Sequence, residues 1–280
     1  MKICKQHASL SQIVLEIKKN GKTIGFVPTM GALHKGHLSL IKKSQKENDF
    51  TVVSIFVNPL QFNNADDLKN YPRTIDSDLE KIKKTSLKNT IVYLPLHEEL
   101  FPKNDTFVLT DLNGMDKEME GEYRPGHFNG VVHVVHNLFK HVQPNAAYFG
   151  EKDFQQLAII KHITKKYNFE IEIKSCKTIR NKNGLALSSR NKLLNKEEKN
   201  KALILYSTLI EIKKQKENLP PKEALKRAKS LFKKSALKLE YIHLVDSENL
   251  SMLSSEWKKN STCCIAAKCG NIRLIDCMSI

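Results

Sequence analysis

The chain has 280 residues, six cysteines, 40% hydrophobic residues and a formal net charge of +16 at pH 7. This length predicts one large or two medium domains, and no apolar run approaches the roughly 18 residues that a membrane-spanning helix needs. The first twenty residues lack the pattern of a secretion signal, and irregularly spaced cysteines in a chain of this size favour reduced thiols over disulfides or a zinc site. We therefore expect a cytoplasmic protein without a membrane anchor.

Most of the positive charge lies in residues 161–235, where lysines dominate and aromatic residues are few. This pattern is typical of the solvated faces of amphipathic helices, whereas surfaces that bind single-stranded nucleic acid combine basic with aromatic side chains. RNA binding is therefore the less favoured interpretation, and a steep salt dependence of binding to RNA would support it.

The first part of the chain alternates predicted helices and strands, as a parallel α/β sheet does. The segment 50–57 is apolar almost throughout, which is typical of a central strand that is covered on both faces. The other patterns predict helices at 11–19, at 38–46, after an N-cap at Thr74 and at 128–141, and strands at 23–27, 90–94, 106–109 (the weakest), 146–149 and 171–176.

The segment PTMGALHKGH, residues 28–37, joins the first of these strands to a helix. Gly31 and Gly36 let the backbone approach a ligand closely, and a helix start offers N–H groups and partial positive charge to an anion. His34 and His37 face the same side of a first helical turn, so both imidazoles can donate to one polyphosphate. This HxGH arrangement resembles that of the nucleotidyl-transfer superfamily. A tight turn with two solvated histidines is the alternative.

Polar side chains also follow the apolar strand at 50–57. In open α/β sheets ligands bind beyond the carboxyl ends of the strands, and Asn58 and Gln61 lie at such an end. Gln61 offers a donor and an acceptor, which suit a hydroxyl or a carboxylate, although a simple turn amide is the alternative.

The irregular region 95–130 suits a lid or a wall of a site. Within it Arg124 and His127 are candidates to face an anion, with a simply solvated arginine as the alternative. In the helix that follows, His133 and His136 are three residues apart, but no carboxylate follows at a matching spacing. We therefore expect surface or core histidines there rather than metal ligands.

A second strand-to-helix junction, GEKDFQQ at 150–156, repeats the design of the first. Gly150 permits the turn, and Lys152 supplies a positive charge for a phosphate. Asp153 is a good N-cap, and its carboxylate can also accept hydrogen bonds from a ribose. Gln156 points back over the helix start.

Residues 178–191 are predicted to form a loop that turns at an Asn-Gly pair and continues into Ser188, Ser189 and Arg190. Hydroxyls and a guanidinium in a mobile loop can close over a polyphosphate and hold it bidentately. The loop resembles the KMSKS loop of the same superfamily. HKGH upstream together with SSRN downstream is far more specific than either motif alone.

The last third of the chain predicts a helix pair and a small antiparallel sheet. Asn195 and Glu198 form a capping box, and the patterns place helices at 196–216 and 222–234 and strands at 241–245, 262–268 and 272–277. The predicted fold is thus α/β, with a Rossmann-like parallel sheet domain over residues 1–177 and a smaller C-terminal α+β lid domain over residues 178–280.

Seven motifs in one collinear order resemble the pantoate–β-alanine ligase (pantothenate synthetase) family: PTMGALHKGH, SIFVNPLQF, NYPRT, EGEYRPGHFNGV, YFGEKDFQQL, LALSSRN and RLID. There are three departures. Leu60 and Leu187 stand where methionine is common in the family, and Cys277 stands where an asparagine usually follows the RLID segment. The two leucines conserve volume. Cys277 is expected to lie far from every phosphate-binding motif and to affect only local packing.

The resemblance implies a two-step ligation. The carboxylate of pantoate attacks the α-phosphorus of ATP, and pyrophosphate leaves an enzyme-bound pantoyl adenylate. The amine of β-alanine then attacks the acyl carbonyl, and AMP leaves. The resemblance also implies a homodimer, and Mg²⁺ bound to the ATP phosphates. Asp76 and Asp78 are both candidates for the carboxylate that assists the Mg²⁺.

It further implies roles for individual residues. The catalytic residues are expected to be His34, His37, Lys152 and Arg190, with His37 as proton donor. The nucleotide site is expected to comprise Met30, Gly31, Ala32, Leu33, His34, Lys35, Gly36, His37, Gly150, Glu151, Lys152, Asp153, Ile179, Leu187, Ser188, Ser189 and Arg190. Gly150 and Asp153 hold the ribose, and backbone groups near Ile179 and Leu187 meet the adenine. Gln61 and Gln156 hold pantoate, with Gln61 also near β-alanine.

The nearest rival is another HxGH nucleotidyltransferase, which leaves the nucleotide on its product and needs no β-alanine. A tRNA synthetase is disfavoured because the chain leaves no room for an anticodon-binding region. The rival that is not an enzyme is the basic RNA-binding module considered above.

Overall fold

The computed structural model describes residues 1–85 and 89–280, and these fall into two compact units. The first unit comprises residues 1–112, 124–150 and 159–176, and the second comprises residues 113–123, 151–158 and 177–280. The helices are α1 His7–Lys19, α2 Lys35–Glu47, α3 Ala65–Asn70, α4 Ile75–Thr85, α5 His97–Leu100, α6 Glu120–Tyr123, α7 His127–Val142, α8 Phe154–Lys166, α9 Lys196–Lys201, α10 Leu203–Gln215 and α11 Pro221–Phe232.

The first unit is built on a six-stranded sheet in which every neighbouring pair is parallel, in the order β1-β4-β3-β2-β5-β6. Its strands are β1 Lys2–Cys4, β2 Ile24–Thr29, β3 Phe50–Ile55, β4 Thr90–Tyr93, β5 Ala146–Gly150 and β6 Glu172–Cys176. The predicted α/β class is confirmed. The edge strand β1 was not predicted, and the strand predicted at 106–109 is wrong, because that segment pairs with no strand among the described residues.

The apolar character of the central strands follows from helices on both faces of the sheet. Side chains of successive residues in a strand point to opposite faces. Val27 of β2 packs in one core cluster with Leu40 and Ile41 of α2. Its neighbour Phe26 meets Phe139 of α7 edge-on, with ring centroids 6.3 Å apart. β2 and β3 are parallel, so the loops that follow them both begin at the carboxyl end of the sheet.

The second unit contains a three-stranded antiparallel sheet in the order β7-β8-β9, with β7 Lys238–Asp246, β8 Ser261–Cys269 and β9 Ile272–Ser279. The helix α10 packs Leu205, Leu209 and Ile212 into a core shared with this sheet, at the i, i+4, i+7 spacing of a helix face. The C-terminal strands are where the sequence predicts them, and each is longer than predicted.

The capping box of Asn195 and Glu198 begins α9 as predicted. The single helix predicted at 196–216 is wrong, because the helical pattern breaks at Ala202. The amide of Leu205 bonds the carbonyl of Ala202, three residues back, at 3.2 Å. Ala202 keeps helical angles (φ −65°, ψ −16°), so the break is a local tightening of the hydrogen-bond pattern.

A buried charged network ties residues 113–123 to the sheet of the second unit. The Arg273 guanidinium donates to both oxygens of Glu120 at 2.6 and 2.8 Å and to Glu240 at 2.7 Å. The Tyr241 hydroxyl donates to Glu120 at 2.8 Å, and burial raises the pKa of Tyr241 well above its usual 10. Such a network is costly to break, since removal of one partner leaves a buried charge uncompensated.

All six cysteines are free and buried. Over residues 1–85 and 89–280, no cluster of three or more His, Cys, Asp or Glu side chains could hold a metal ion. No helix in the same residues is both long and apolar enough to cross a bilayer.

Candidate active site

The two histidines of HKGH cap the helix on which they lie. His34 is the N-cap of α2, and its Nδ1 accepts from the amide of Gly36 at 3.1 Å. The Nδ1 of His37 accepts from the amide of His34 at 3.3 Å, which completes a capping box. The helix therefore starts at Lys35, three residues before the predicted start. Histidine is not among the usual N-cap residues, so propensity alone did not reveal this.

This capping fixes the chemistry of both rings. A neutral imidazole that accepts at Nδ1 carries its proton on Nε2 and donates there. The rings of His34 and His37 lie side by side, with centroids 4.1 Å apart. A Cβ on Gly36 would lie 2.8 Å from the ring of His34. Any larger residue at this position would therefore displace the ring. Two Nε2 donors at the start of a helix suit a polyphosphate.

The turn before α2 is held by a buried carboxylate. Gly31 and Ala32 both have positive φ, 78° and 49°. Asp78 of α4 has no exposed surface and accepts from the amides of Ala32 at 2.7 Å and Leu33 at 2.8 Å, one on each oxygen. Thr74, which directly precedes α4 as predicted, donates to it at 3.1 Å. Sequence reasoning offered Asp78 only as a candidate for magnesium. The structure commits both of its oxygens to backbone amides.

Gln61 lies in a 3-10 turn, Pro59–Gln61, just beyond the carboxyl end of β3. Its side chain is buried between two neighbours: Asn58 donates to Oε1 at 3.1 Å, and Nε2 lies 3.2 Å from the Met30 sulfur. Asn58 is itself anchored to the Gly130 carbonyl at 2.9 Å. The first unit thus brings Gln61 beside the turn that carries HKGH.

Arg124 and His127 hold the backbone of that 3-10 turn. His127 is 5% exposed, and its Nδ1 lies 2.8 Å from the Gln61 carbonyl, while Arg124 donates to the same oxygen at 3.3 Å. The expectation that His127 faces an anion is therefore corrected, because both of its ring nitrogens lie against protein groups. Arg124 and His127 therefore contribute indirectly, because they hold the backbone of Gln61 in position.

His133 and His136 belong to an aromatic cluster. The ring of His133 stacks on Phe107 with centroids 4.2 Å apart, and His136 packs against Tyr167 and Phe169. Burial lowers the pKa of His136 below its usual 6.5. These contacts agree with the expected structural role.

The second strand-to-helix junction is divided between the two units. Gly150 ends β5 in the first unit, and Glu151–Asp153 form a 3-10 turn in the second, directly before α8. Lys152 donates to the two Asp153 oxygens at 3.2 and 3.4 Å. Gln156 is half-buried in the first turn of α8.

The loop that carries SSRN is a short hairpin. Arg180 and Ala186 form an isolated antiparallel bridge, and the amide of Leu187 bonds the carbonyl of Ile179 at 2.9 Å. The Ser188 side chain accepts from the amide of Arg190 at 3.3 Å and caps the 3-10 helix Ser189–Leu193. The predicted site residues of the second unit therefore lie on two segments, this loop and the 151–156 turn, and both segments contact β9.

One expectation about this unit is wrong. The Cys277 thiol of β9 donates to the Glu151 carbonyl at 2.8 Å, so Cys277 contacts a predicted ATP-binding segment although it lies 126 positions further along the chain. The positioning roles of Asp78, Asn58, Arg180 and Cys277 were not predicted. Asn58 stands in the motif SIFVNPLQF, Asp78 lies four residues after NYPRT, Arg180 belongs to the TIRN stretch at 178–181, and Cys277 directly follows RLID. A sequence motif does not show which of its residues pair across the fold.

Comparisons with known proteins agree along the whole chain. A family model described as pantoate-beta-alanine ligase matches residues 2–279. A pantothenate synthetase from Flavobacterium psychrophilum is 48% identical over 261 residues, 92% of each chain, and one from Bacteroides fragilis is 43% identical over 279 residues, 99% of this chain and 98% of the relative.

Two solved structures are also similar. Pantothenate synthetase from Thermus thermophilus superimposes with a TM-score of 0.92 at 35% identity, covering 100% of this chain and 99% of the other. A pantoate-beta-alanine ligase from Francisella tularensis, complexed with beta-gamma ATP and beta-alanine, gives a TM-score of 0.81 at 35% identity and covers 100% and 97%.

Proposed function

Because the chain belongs to the pantoate–β-alanine ligase family, we propose that it condenses (R)-pantoate with β-alanine to pantothenate and converts ATP to AMP and pyrophosphate. The family match over residues 2–279 is the observation that carries this proposal. The pantoate carboxylate attacks the α-phosphorus and displaces pyrophosphate. The amine of β-alanine then attacks the carbonyl of the enzyme-bound pantoyl adenylate and displaces AMP.

Such chemistry depends mainly on alignment and on stabilisation of negative charge. In the first unit, His34 and His37 are proposed to donate hydrogen bonds from Nε2 to the ATP phosphates, with His37 as the hydrogen-bond donor to the developing pyrophosphate. The capping bonds at Nδ1 support this, since they hold the donor tautomer in both rings. Gln61 is proposed to bind pantoate and the incoming β-alanine, and its fixed position beside Met30 supports that role.

In the second unit, Lys152 and Arg190 are proposed to neutralise phosphate charge, with the hydroxyls of Ser188 and Ser189 as further donors. Asp153 is proposed to hold the ribose together with Gly150, which belongs to the first unit, and the backbone at Ile179 and Leu187 is proposed to contact the adenine. Gln156 completes the pantoate contacts.

Mg²⁺ is proposed to enter with ATP as part of the substrate. This fits the residues present, since Mg²⁺ commonly binds substrate phosphates and water with only one or two protein carboxylates, and Asp78 is already engaged by backbone amides. A cytoplasmic homodimer is proposed as well. So is a functional division into a nucleotide- and pantoate-binding domain, residues 1–177, and a lid domain, residues 178–280.

The test separates the two half-reactions. Exchange of labelled pyrophosphate into ATP is measured with Mg²⁺, with and without pantoate, and AMP release is then measured after addition of β-alanine. We expect exchange that requires pantoate and AMP release that requires the amine. Exchange with no effect of β-alanine would instead indicate a transferase that leaves the nucleotide on its product.

The variant His37→Ala gives a second readout. Loss of one preorganised donor lowers a rate by about 10²- to 10³-fold, so exchange should fall by that factor, whereas loss of the capping bond should lower the free energy of unfolding by only about 0.5–2 kcal/mol. A parallel loss of Tm and activity would mark the ring as a structural cap only.

A further inference from the structure

Two adjacent residues of β9 contact both predicted ATP-binding segments of the second unit. The first is Asp276, which is 3% exposed and forms a two-pronged ion pair with Arg180: Nη1 to Oδ2 at 2.5 Å and Nη2 to Oδ1 at 2.9 Å. The amide of Cys277 also donates to Asp276 at 2.8 Å. The carboxylate is thus fixed by its own strand and in turn fixes the guanidinium.

Arg180 passes this constraint to the loop that carries SSRN. Its Nη1 donates to the Gly184 carbonyl at 3.0 Å, and its guanidinium carbon lies 4.6 Å from the centroid of the Tyr206 ring. Gly184 has φ +97°, and a Cβ there would lie 2.1 Å from the same ring. Arg180 therefore holds the hairpin both at its base, through the bridge to Ala186, and at its tip, through the Gly184 carbonyl. Ser188 lies two residues after Ala186.

The second residue is Cys277, whose thiol donates to the Glu151 carbonyl at 2.8 Å. Glu151 directly precedes Lys152, so this bond sets the backbone from which the Lys152 side chain projects. Burial raises the pKa of the Cys277 thiol well above its usual 9, which keeps the proton that this bond needs. An asparagine, which the resemblance expects at this position, also carries donors.

We propose that Asp276 and Cys277 are positioning residues for ATP, one through Arg180 and the SSRN loop and the other through the Glu151 carbonyl and Lys152. This inference rests on the proposed function, because it takes these two segments as the ATP contacts of the unit. The C-terminal half of β9 thus helps to position ATP. The residues touch no reacting atom, and their effect is expected on ATP and not on pantoate.

The sharpest test compares three cysteine variants. Cys277→Ala removes the thiol donor, and Cys277→Ser keeps a donor of similar size. Cys269→Ala is the matched control: it removes another buried thiol of the same sheet, one that contacts the Glu198 carbonyl at 3.8 Å, outside the predicted site. Each variant is assayed for KM of ATP and of pantoate in pyrophosphate exchange, for affinity for a non-hydrolysable ATP analogue by calorimetry, and for Tm.

Loss of one neutral hydrogen bond corresponds to about a three- to tenfold effect. Cys277→Ala should therefore raise KM for ATP and weaken analogue binding by about three- to tenfold, with KM for pantoate unchanged and with recovery in Cys277→Ser. Asp276→Asn, which weakens the hold on Arg180, should have a larger effect on ATP. Cys269→Ala should match the wild type per folded molecule.

The inference is overturned if Cys277→Ala and Cys269→Ala bind ATP and its analogue alike, or if pantoate and ATP constants change together. Wild-type protein that binds the analogue but shows no pantoate-dependent exchange would refute the proposed function alone, and the calorimetric comparison would still decide between the variants. Wild-type protein that does not bind the analogue would overturn both.

Discussion

Asp78→Asn is the most informative single change in the first unit. The carboxylate has no exposed surface and receives the Ala32 amide at 2.7 Å and the Leu33 amide at 2.8 Å. An asparagine can accept only one of these bonds. The other is lost, at about 1.5–3 kcal/mol for a charged acceptor, and the new NH₂ group faces a backbone N–H, at about 1–3 kcal/mol for an unsatisfied buried donor.

The free energy of unfolding should therefore fall by about 3–5 kcal/mol, with a drop in Tm of roughly 10 °C. Exchange of pyrophosphate should fall at least tenfold even at a temperature where the variant is folded, because the turn positions HKGH. Both are measured by urea denaturation followed by circular dichroism and by the exchange assay. Asp76→Asn is the control for stability, since Asp76 is an exposed carboxylate in the first turn of the same helix. Equal stability of the two variants would refute this account of the turn.

Three further outcomes are expected. Gly36→Ala should reduce exchange about tenfold with a smaller loss of stability, because its Cβ would stand 2.8 Å from the His34 ring and displace it; unchanged exchange would contradict this. Gln61→Ala should act mainly on the kinetics of pantoate, and unaltered pantoate constants would remove that assignment. Burial lowers the pKa of His141 to about 4, so the folded state binds its proton less readily than the unfolded state, and stability is lost as pH falls from about 6.5 towards 4. With allowance for partial solvent screening, His141→Gln should remove about 1 kcal/mol of the stability loss between pH 7 and pH 4.5, and equal pH profiles of unfolding would count against it.

The sheet and most helices could be predicted because their signals are local. The apolar run that contains β3 reports burial directly, since five consecutive residues of the strand's six are buried beneath helices on both faces. The strand β1 was missed because three residues, Lys2–Cys4, carry too little pattern to register as a strand. The break at Ala202 was missed because alanine favours a helix and signals no change in hydrogen bonding.

The site residues show the same contrast between what local sequence signals reveal and what they do not. The strand-to-helix junctions and the loop follow from spacing, and so their residues could be named in advance. The groups that hold them could not: Asp78 acts on amides 45 and 46 positions away, and Asp276 acts on a guanidinium 96 positions away. Pairing over such separations is decided by the folded topology, and one sequence without a structure does not reveal it.

The buried network of the second unit also sets an order on synthesis. Glu120 and Arg273 are 153 positions apart, and both belong to that unit. All six strands of the first sheet have left the ribosome once Cys176 has emerged, but the second unit gains its Arg273 guanidinium and the strand β9 only after residues 272–279 have also been made. Until then the nascent chain contains Glu120 without its Arg273 partner, and one edge of β8 has no strand to pair with. A chain that stops before β9 should therefore lose the contacts that this strand makes with the segments at 113–123 and 151–158, which were made long before it.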